Sequence, residues 1–161
     1  MEKTYIGIDN GVTGTIGVIS KGYDFLHKTP VKKEQSFTKA KQNITRIDYK
    51  LLSIMIDLYS SDSIAIIEQP MINPNKFKAS LSAVRALEAT LICLESHKIP
   101  HMYICAKQWQ KELLPKGLKA KELKKASRDI GCRLFPNQTE FICKHDADAL
   151  LIAEYARRNN L

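Results

Sequence analysis

The sequence predicts an α/β fold, a mixed five-stranded sheet flanked by helices, on three observations. Short β-rich segments open the chain at hairpin spacing, a continuous apolar run over Ser63–Glu68 has the character of a strand buried on both faces, and apolar residues at helical spacing fill much of the remainder. With 161 residues, 44% hydrophobic and 26% charged, the chain suits one domain over residues 1–161 and excludes a disordered tail or a fibrous repeat.

Residues 4–9 alternate and end on an acid, Thr15–Ser20 is β-rich, and Tyr23–Lys28 follows the Lys21-Gly22 turn, so a three-strand antiparallel meander is expected. Residues 29–43 lack an apolar period and read as an exposed basic loop, long enough to be functional. Thr45 with Asp48 resembles a capping pair, ahead of Ile47, Leu51, Ile54, Met55 and Leu58 at helical spacing. Pro70 stops the strand that ends at Glu68. Residues 80–97 carry Leu81, Val84, Leu87, Leu91 and Leu94 beside Ala79, Ala83, Ala86 and Ala89, a face open to two uses: packing on its own sheet, or close approach of a second copy. Residues 102–105 read as a further parallel strand and 108–114 as a short helix with Trp109 in the core. A basic helix over 119–130 closed by Gly131 follows, then a last helix over 146–158.

Charge narrows the function classes. A net charge of +8 points toward a polyanionic partner, and two blocks hold the excess: residues 28–50 carry net +5 and residues 107–133 net +6, leaving a mildly acidic remainder. Two basic blocks on an acidic body suit a surface that tracks phosphates. Cys93, Cys105, Cys132 and Cys143 form no CxxC pair, so reduced, mostly buried thiols are expected, and a metal shared by Cys132, Cys143 and His145 lacks its usual motif. The opening residues have no signal-peptide pattern and no stretch is apolar enough to span a bilayer, which reads as a cytoplasmic chain without a membrane partner.

Three acids sit where elements begin or end: Asp9 and Glu68 after apolar strands, Asp148 in the first turn of the last helix. If the two strands are neighbours, the carboxylates converge, and carboxylates among apolar strands repel unless protons or a cation offset them. Mg²⁺ is the economical explanation. On one continuous helix His145 and Asp148 share a face while Asp146 points about 100 to 200° away, which makes Asp146 a capping residue and the weaker ligand candidate. The turn Asp9-Asn-Gly-Val-Thr-Gly14 resembles the phosphate-binding turn of sugar-kinase and actin-like ATPases, but those folds need two large lobes.

Ile8-Asp9-Asn10-Gly11, Ile66-Ile67-Glu68-Gln69 and His145-Asp146-Ala147-Asp148-Ala149-Leu150 together resemble the RuvC family of Holliday-junction resolvases, in a short phage-type form, over nearly the whole chain. The resemblance implies a ribonuclease H-like fold and a metal-dependent endonuclease, usually a homodimer, that cuts opposed strands of a four-way DNA junction to leave 5′-phosphate and 3′-hydroxyl ends. For a phage product the compartment is the bacterial cytoplasm. Asp9, Glu68 and Asp148 match the family's acids, and His145 takes the fourth position, where members carry Asp or His. Two Mg²⁺ ions bridged by Asp9 are implied, with Mn²⁺ substituting through the imidazole. The DNA-binding set is Lys32, Lys33, Lys39, Lys41, Arg46, Lys107, Lys111, Lys119, Lys121 and Lys124, with Lys119 or Lys121 as the candidate catalytic lysine. The chain departs from the family in Asn10, where proline is common, and in Met71, where bacterial members place an aromatic wedge; Phe77 is the nearest aromatic. A broader flap or branched-DNA nuclease, a catalytically inactive junction-binding protein and a small ATPase fragment are the alternatives.

Overall fold

The computed structural model describes residues 3–161. In chain order the elements are β1 (Thr4–Ile8), β2 (Thr15–Ser20), β3 (Tyr23–Lys28), β4 (Val31–Gln35), β5 (Asn43–Ile47), α1 (Tyr49–Asp57), β6 (Ser63–Glu68), α2 (Phe77–Ser96), β7 (His101–Ile104), α3 (Ala106–Leu113), α4 (Ala120–Leu134), α5 (Thr139–Lys144) and α6 (Asp148–Arg158). The main sheet runs β3-β2-β1-β6-β7. Its first three strands pair antiparallel, and β6 and β7 continue parallel from β1, as the alternation and the continuous apolar run require.

Alternation along the strands sorts the core into two layers. Ile6, Ile8, Ile16, Val18, Ala65 and Ile67 face α1 and α2, where Leu52, Ile56, Ala86, Cys93 and Leu94 cover them. Tyr5, Ile19, Leu26 and Ile66 face the other way, onto Leu150, Leu151, Ile152 and Ala153 of α6. Each fully buried Leu or Ile contributes about 1.5 to 3 kcal/mol, so the two layers dominate the stabilisation of the sheet. The fit of α6 is close because Gly7 and Gly17 leave room for its backbone: a Cβ on Gly7 would stand 2.1 Å from the Ala149 carbonyl oxygen, and one on Gly17 2.5 Å from the Leu150 nitrogen. That contact fixes where α6 begins, and hence where Asp148 stands.

Several elements differ from expectation. The segment read as a basic loop holds β4, which pairs antiparallel with β5 as a separate two-stranded sheet, Val31 opposite Ile47 and Gln35 opposite Asn43. Val31 and Ile47 share one face of this hairpin with Lys33 and Thr45, and Ile44 lies on the other with Lys32, Glu34 and Arg46, so apolar and charged residues mix on both faces and the alternation is too thin to read. Thr45 lies in β5, and Asp48 itself caps α1, its carboxylate accepting the Leu51 N–H at 3.3 Å. Gly131 lies inside α4 rather than beyond it; a Cβ there would come within 2.2 Å of the Ala147 Cβ, so glycine serves close packing and not termination. The last helix starts at Asp148, after a separate α5. Among the cysteines only Cys93 is buried, and Cys143 is exposed.

Candidate functional site

Parallel pairing of β1 with β6 sets the first two acids side by side. Ile8 pairs with Ile67, so Asp9 and Glu68 leave the same edge of the sheet as neighbours. Asp9 closes its turn through its N–H, which donates to the Thr15 carbonyl at 3.1 Å, and the next side chain, Asn10, donates from Nδ2 to the Ala83 carbonyl of α2 at 3.1 Å. The turn is thereby tied to the sheet and to α2. Glu68 is oriented by Trp109 of α3, a fully buried indole whose Nε1–H donates to Oε2 at 2.8 Å.

The break between α5 and α6 delivers two more carboxylates. Asp146 accepts the Thr15 hydroxyl at 3.0 Å and the Asp148 N–H at 3.2 Å through Oδ1, and Asp148 accepts the Ser127 hydroxyl of α4. Because residues 145–147 are not helical, His145 and Asp148 do not share a helix face, and Asp146 turns in toward the acids instead of away. His145 ends α5 with its ring against Phe141, centroids 4.4 Å apart. Thus the structure brings Asp9, Glu68, Asp146 and Asp148 together and holds His145 against its own helix.

The electrostatics follow from that convergence. Burial, then the charges of Asp146, Glu68 and Asp148, push the Asp9 carboxyl up to about 7, with only Lys124 opposing. Burial also raises Glu68, against the Trp109 hydrogen bond, with Asp148 and Asp146 adding to the rise. Asp148 is raised by burial and by Asp146, and lowered by Ser127 and Lys124. Among the described residues no three His, Cys, Asp or Glu side chains close around a single metal position. Thr15, Ser127 and Trp109 each engage one carboxylate, which keeps the acids near one another yet separate.

The basic residues expected to bind DNA are all exposed. Lys32 and Arg46 are tied to Glu34 at 2.6 and 2.5 Å, and Lys33 shares their hairpin, with Lys39 and Lys41 in its tip. Lys107 and Lys111 lie on α3, Lys119 precedes α4, and Lys121 and Lys124 lie on it. Lys124 is the one whose charge reaches Asp9 and Asp148. Beyond Glu68, Met71 and Phe77 stand 86% and 70% exposed. Sequence reasoning overlooked Thr15 and Ser127; the signal for Ser127 is a hydroxyl at helical spacing from Leu123 and Ile130 on the inner face of α4.

No protein-family model and no curated protein matches the sequence. Among solved structures, Thermus thermophilus RuvC in complex with a Holliday junction substrate superposes with a TM-score of 0.63 at 18% identity, over 98% of this chain and 94% of that one. The chain has the RuvC fold. A second Thermus thermophilus RuvC structure agrees, with a TM-score of 0.51 at 19% identity over 98% of this chain and 96% of its own. The RuvC fold is ribonuclease H-like, and in this chain its mixed sheet places Asp9 and Glu68 at the ends of β1 and β6, where Asp146 and Asp148 meet them from the start of α6.

Proposed function

We propose that this chain is a metal-dependent endonuclease that resolves four-way DNA junctions by paired phosphodiester hydrolysis, leaving 5′-phosphate and 3′-hydroxyl ends. The observation that carries the reading is the gathering of Asp9, Glu68, Asp146 and Asp148 at one edge of a RuvC fold, close enough to lift Asp9 to about 7. Oxygen-only donors in this number suit Mg²⁺, and the electrostatic tension among them is what a bound cation relieves. Asp9, Glu68, Asp146 and Asp148 would hold it. His145 would join only by leaving Phe141.

When bound, the metal supplies a water of lowered pKa and neutralises charge on the scissile phosphate. The chain's own groups prepare for that. Trp109 holds one oxygen of Glu68 and leaves the other open; Ser127 and Thr15 do the same for Asp148 and Asp146. Lys124 stands where its ammonium meets both the acids and an incoming phosphate. The exposed lysines of the β4–β5 hairpin and of α3 and α4 would hold junction arms by their phosphates, without reading sequence. The exposed Leu81, Val84 and Ile92 on α2 suit the second copy that paired cuts need.

The test is cleavage of an end-labelled four-way junction and a matched linear duplex in Mg²⁺ or Mn²⁺, by wild type and Asp148→Asn. Symmetric nicks in the junction, absent from the duplex and lost in the variant, are expected. Equal cutting of flaps and forks would replace the reading by a broader branched-DNA nuclease, and binding without cutting in either metal would overturn it.

A further inference from the structure

Phe37 is the most exposed large apolar side chain among the described residues, at 91%. It stands in the tip of the β4–β5 hairpin, and that tip is ordered by its own hydrogen bonds: the Ser36 N–H to the Gln42 carbonyl at 2.8 Å, the Lys41 N–H to the Thr38 carbonyl at 2.9 Å, and the Ser36 and Thr38 hydroxyls to each other at 2.6 Å. An aromatic held in water on a built turn gains nothing for folding. Lys33, Lys39 and Lys41 share the hairpin with it, while Glu34 is occupied by Lys32 and Arg46.

Beneath Phe37 runs a groove of about 360 Å³ between the hairpin and α2. Ile44, Ile47, Ala86 and Ala89 give it apolar lining, Arg85 supplies a cation beside Arg46, which is held by Glu34, and Glu88 is the one acid in its lining. Val12, from the turn that follows Asp9, and Phe37, from the hairpin tip, both line the groove. Apolar lining, a guanidinium and an exposed ring are what a single unstacked nucleotide requires, its base on the ring and its phosphates on the guanidinium and ammonium groups. The hairpin, residues 31–47, carries five Lys/Arg against Glu34 alone, a net charge of +4 that suits a polyanion in the groove.

We infer that this groove takes one nucleotide unstacked at the branch point of a DNA junction, with its base on Phe37. The inference rests on the branched-DNA reading above and assigns to the hairpin a role in opening the junction. The experiment uses the full chain in Ca²⁺, with a four-way junction carrying 2-aminopurine at the branch point and a linear duplex of matched sequence. Phe37→Ala is expected to weaken junction binding about tenfold, to leave duplex binding unaltered and to remove the fluorescence change that wild type produces, while Phe37→Trp keeps both. If wild type cuts the junction in Mg²⁺ yet Phe37→Ala matches it in affinity and fluorescence, the groove is no nucleotide site and the resolvase reading stands. If wild type neither binds nor cuts the junction, both readings fall together. Sedimentation of Phe37→Ala at a lower mass than wild type would make the hairpin an interchain contact and overturn the inference.

Discussion

Asp9 keeps its proton in the folded protein up to about pH 7, whereas an ordinary aspartate releases it near 3.8. Between those values the folded state binds more protons than the unfolded chain, so the contribution of Asp9 to stability falls as pH rises through the window. The metal-free protein should therefore melt lower at pH 8 than at pH 5, and Mg²⁺ should raise the midpoint more at pH 8, where no proton has to be displaced. Asp9→Asn should raise the metal-free midpoint at pH 8 and abolish cleavage, with the gain shrinking as pH falls toward 4; thermal melts across pH check the sign. A lowered midpoint for Asp9→Asn at pH 8 would contradict the repulsion among these acids. His145 and Asp146 separate by the same reasoning. Asp146 faces the other carboxylates and should cost about a hundredfold or more in cleavage rate as Asp146→Asn, whereas His145→Ala, which removes a ring packed on Phe141, should cost less than tenfold. Asp9, Glu68 and Asp148 were legible in the sequence because an acid that ends an apolar run or opens a helix is visible without coordinates. The part played by Asp146 was not, because it depends on one break in the backbone between α5 and α6.

At the scale of elements, α4 and α6 meet where Gly131 faces Ala147, and that contact sets how far Ser127 stands from Asp148. Gly131→Ala inserts a methyl 2.2 Å from the Ala147 Cβ, so the helices must separate; a loss of about 1 to 3 kcal/mol in stability and a fall in cleavage are expected, because Ala147 stands between Asp146 and Asp148 in the chain. Adding Ala147→Gly should recover most of both, and a double-variant cycle by denaturant melts measures the recovery; simple additivity would mean that the helices do not meet there. Glycine at the end of a polar helical run looks like a terminator from sequence, and only the packing partner distinguishes the two uses. The same holds for the β4–β5 hairpin, where charged residues on both faces conceal a two-residue period. The meander and β6, by contrast, were legible because burial on one or both faces writes itself into apolar residues at every second or every position.

For the whole molecule, the arrangement to be explained is a pair of basic blocks on a body that is otherwise slightly acidic, with an acidic site whose residues all lie outside both blocks. No helix among the described residues is long and apolar enough to cross a membrane, and the excess charge lies on exposed side chains of the hairpin, α3 and α4. If both blocks contact the same junction, the phosphates they neutralise release counterions together, and about six contacts would weaken binding roughly a thousandfold between 50 and 200 mM salt. Replacing Lys39 and Lys41 by Gln should lower the slope of log affinity against log salt by about two, replacing Lys111 and Lys121 by a similar amount, and the combined variant by about four, with sequence preference unaltered. Filter-binding titrations on a metal-free junction give all four slopes. A hairpin pair that leaves the slope unchanged would take that block off the DNA and, with it, the cationic rim on which the Phe37 groove depends, whereas additive slopes require one DNA molecule to contact both blocks, the second of which carries Lys124 beside Asp9 and Asp148.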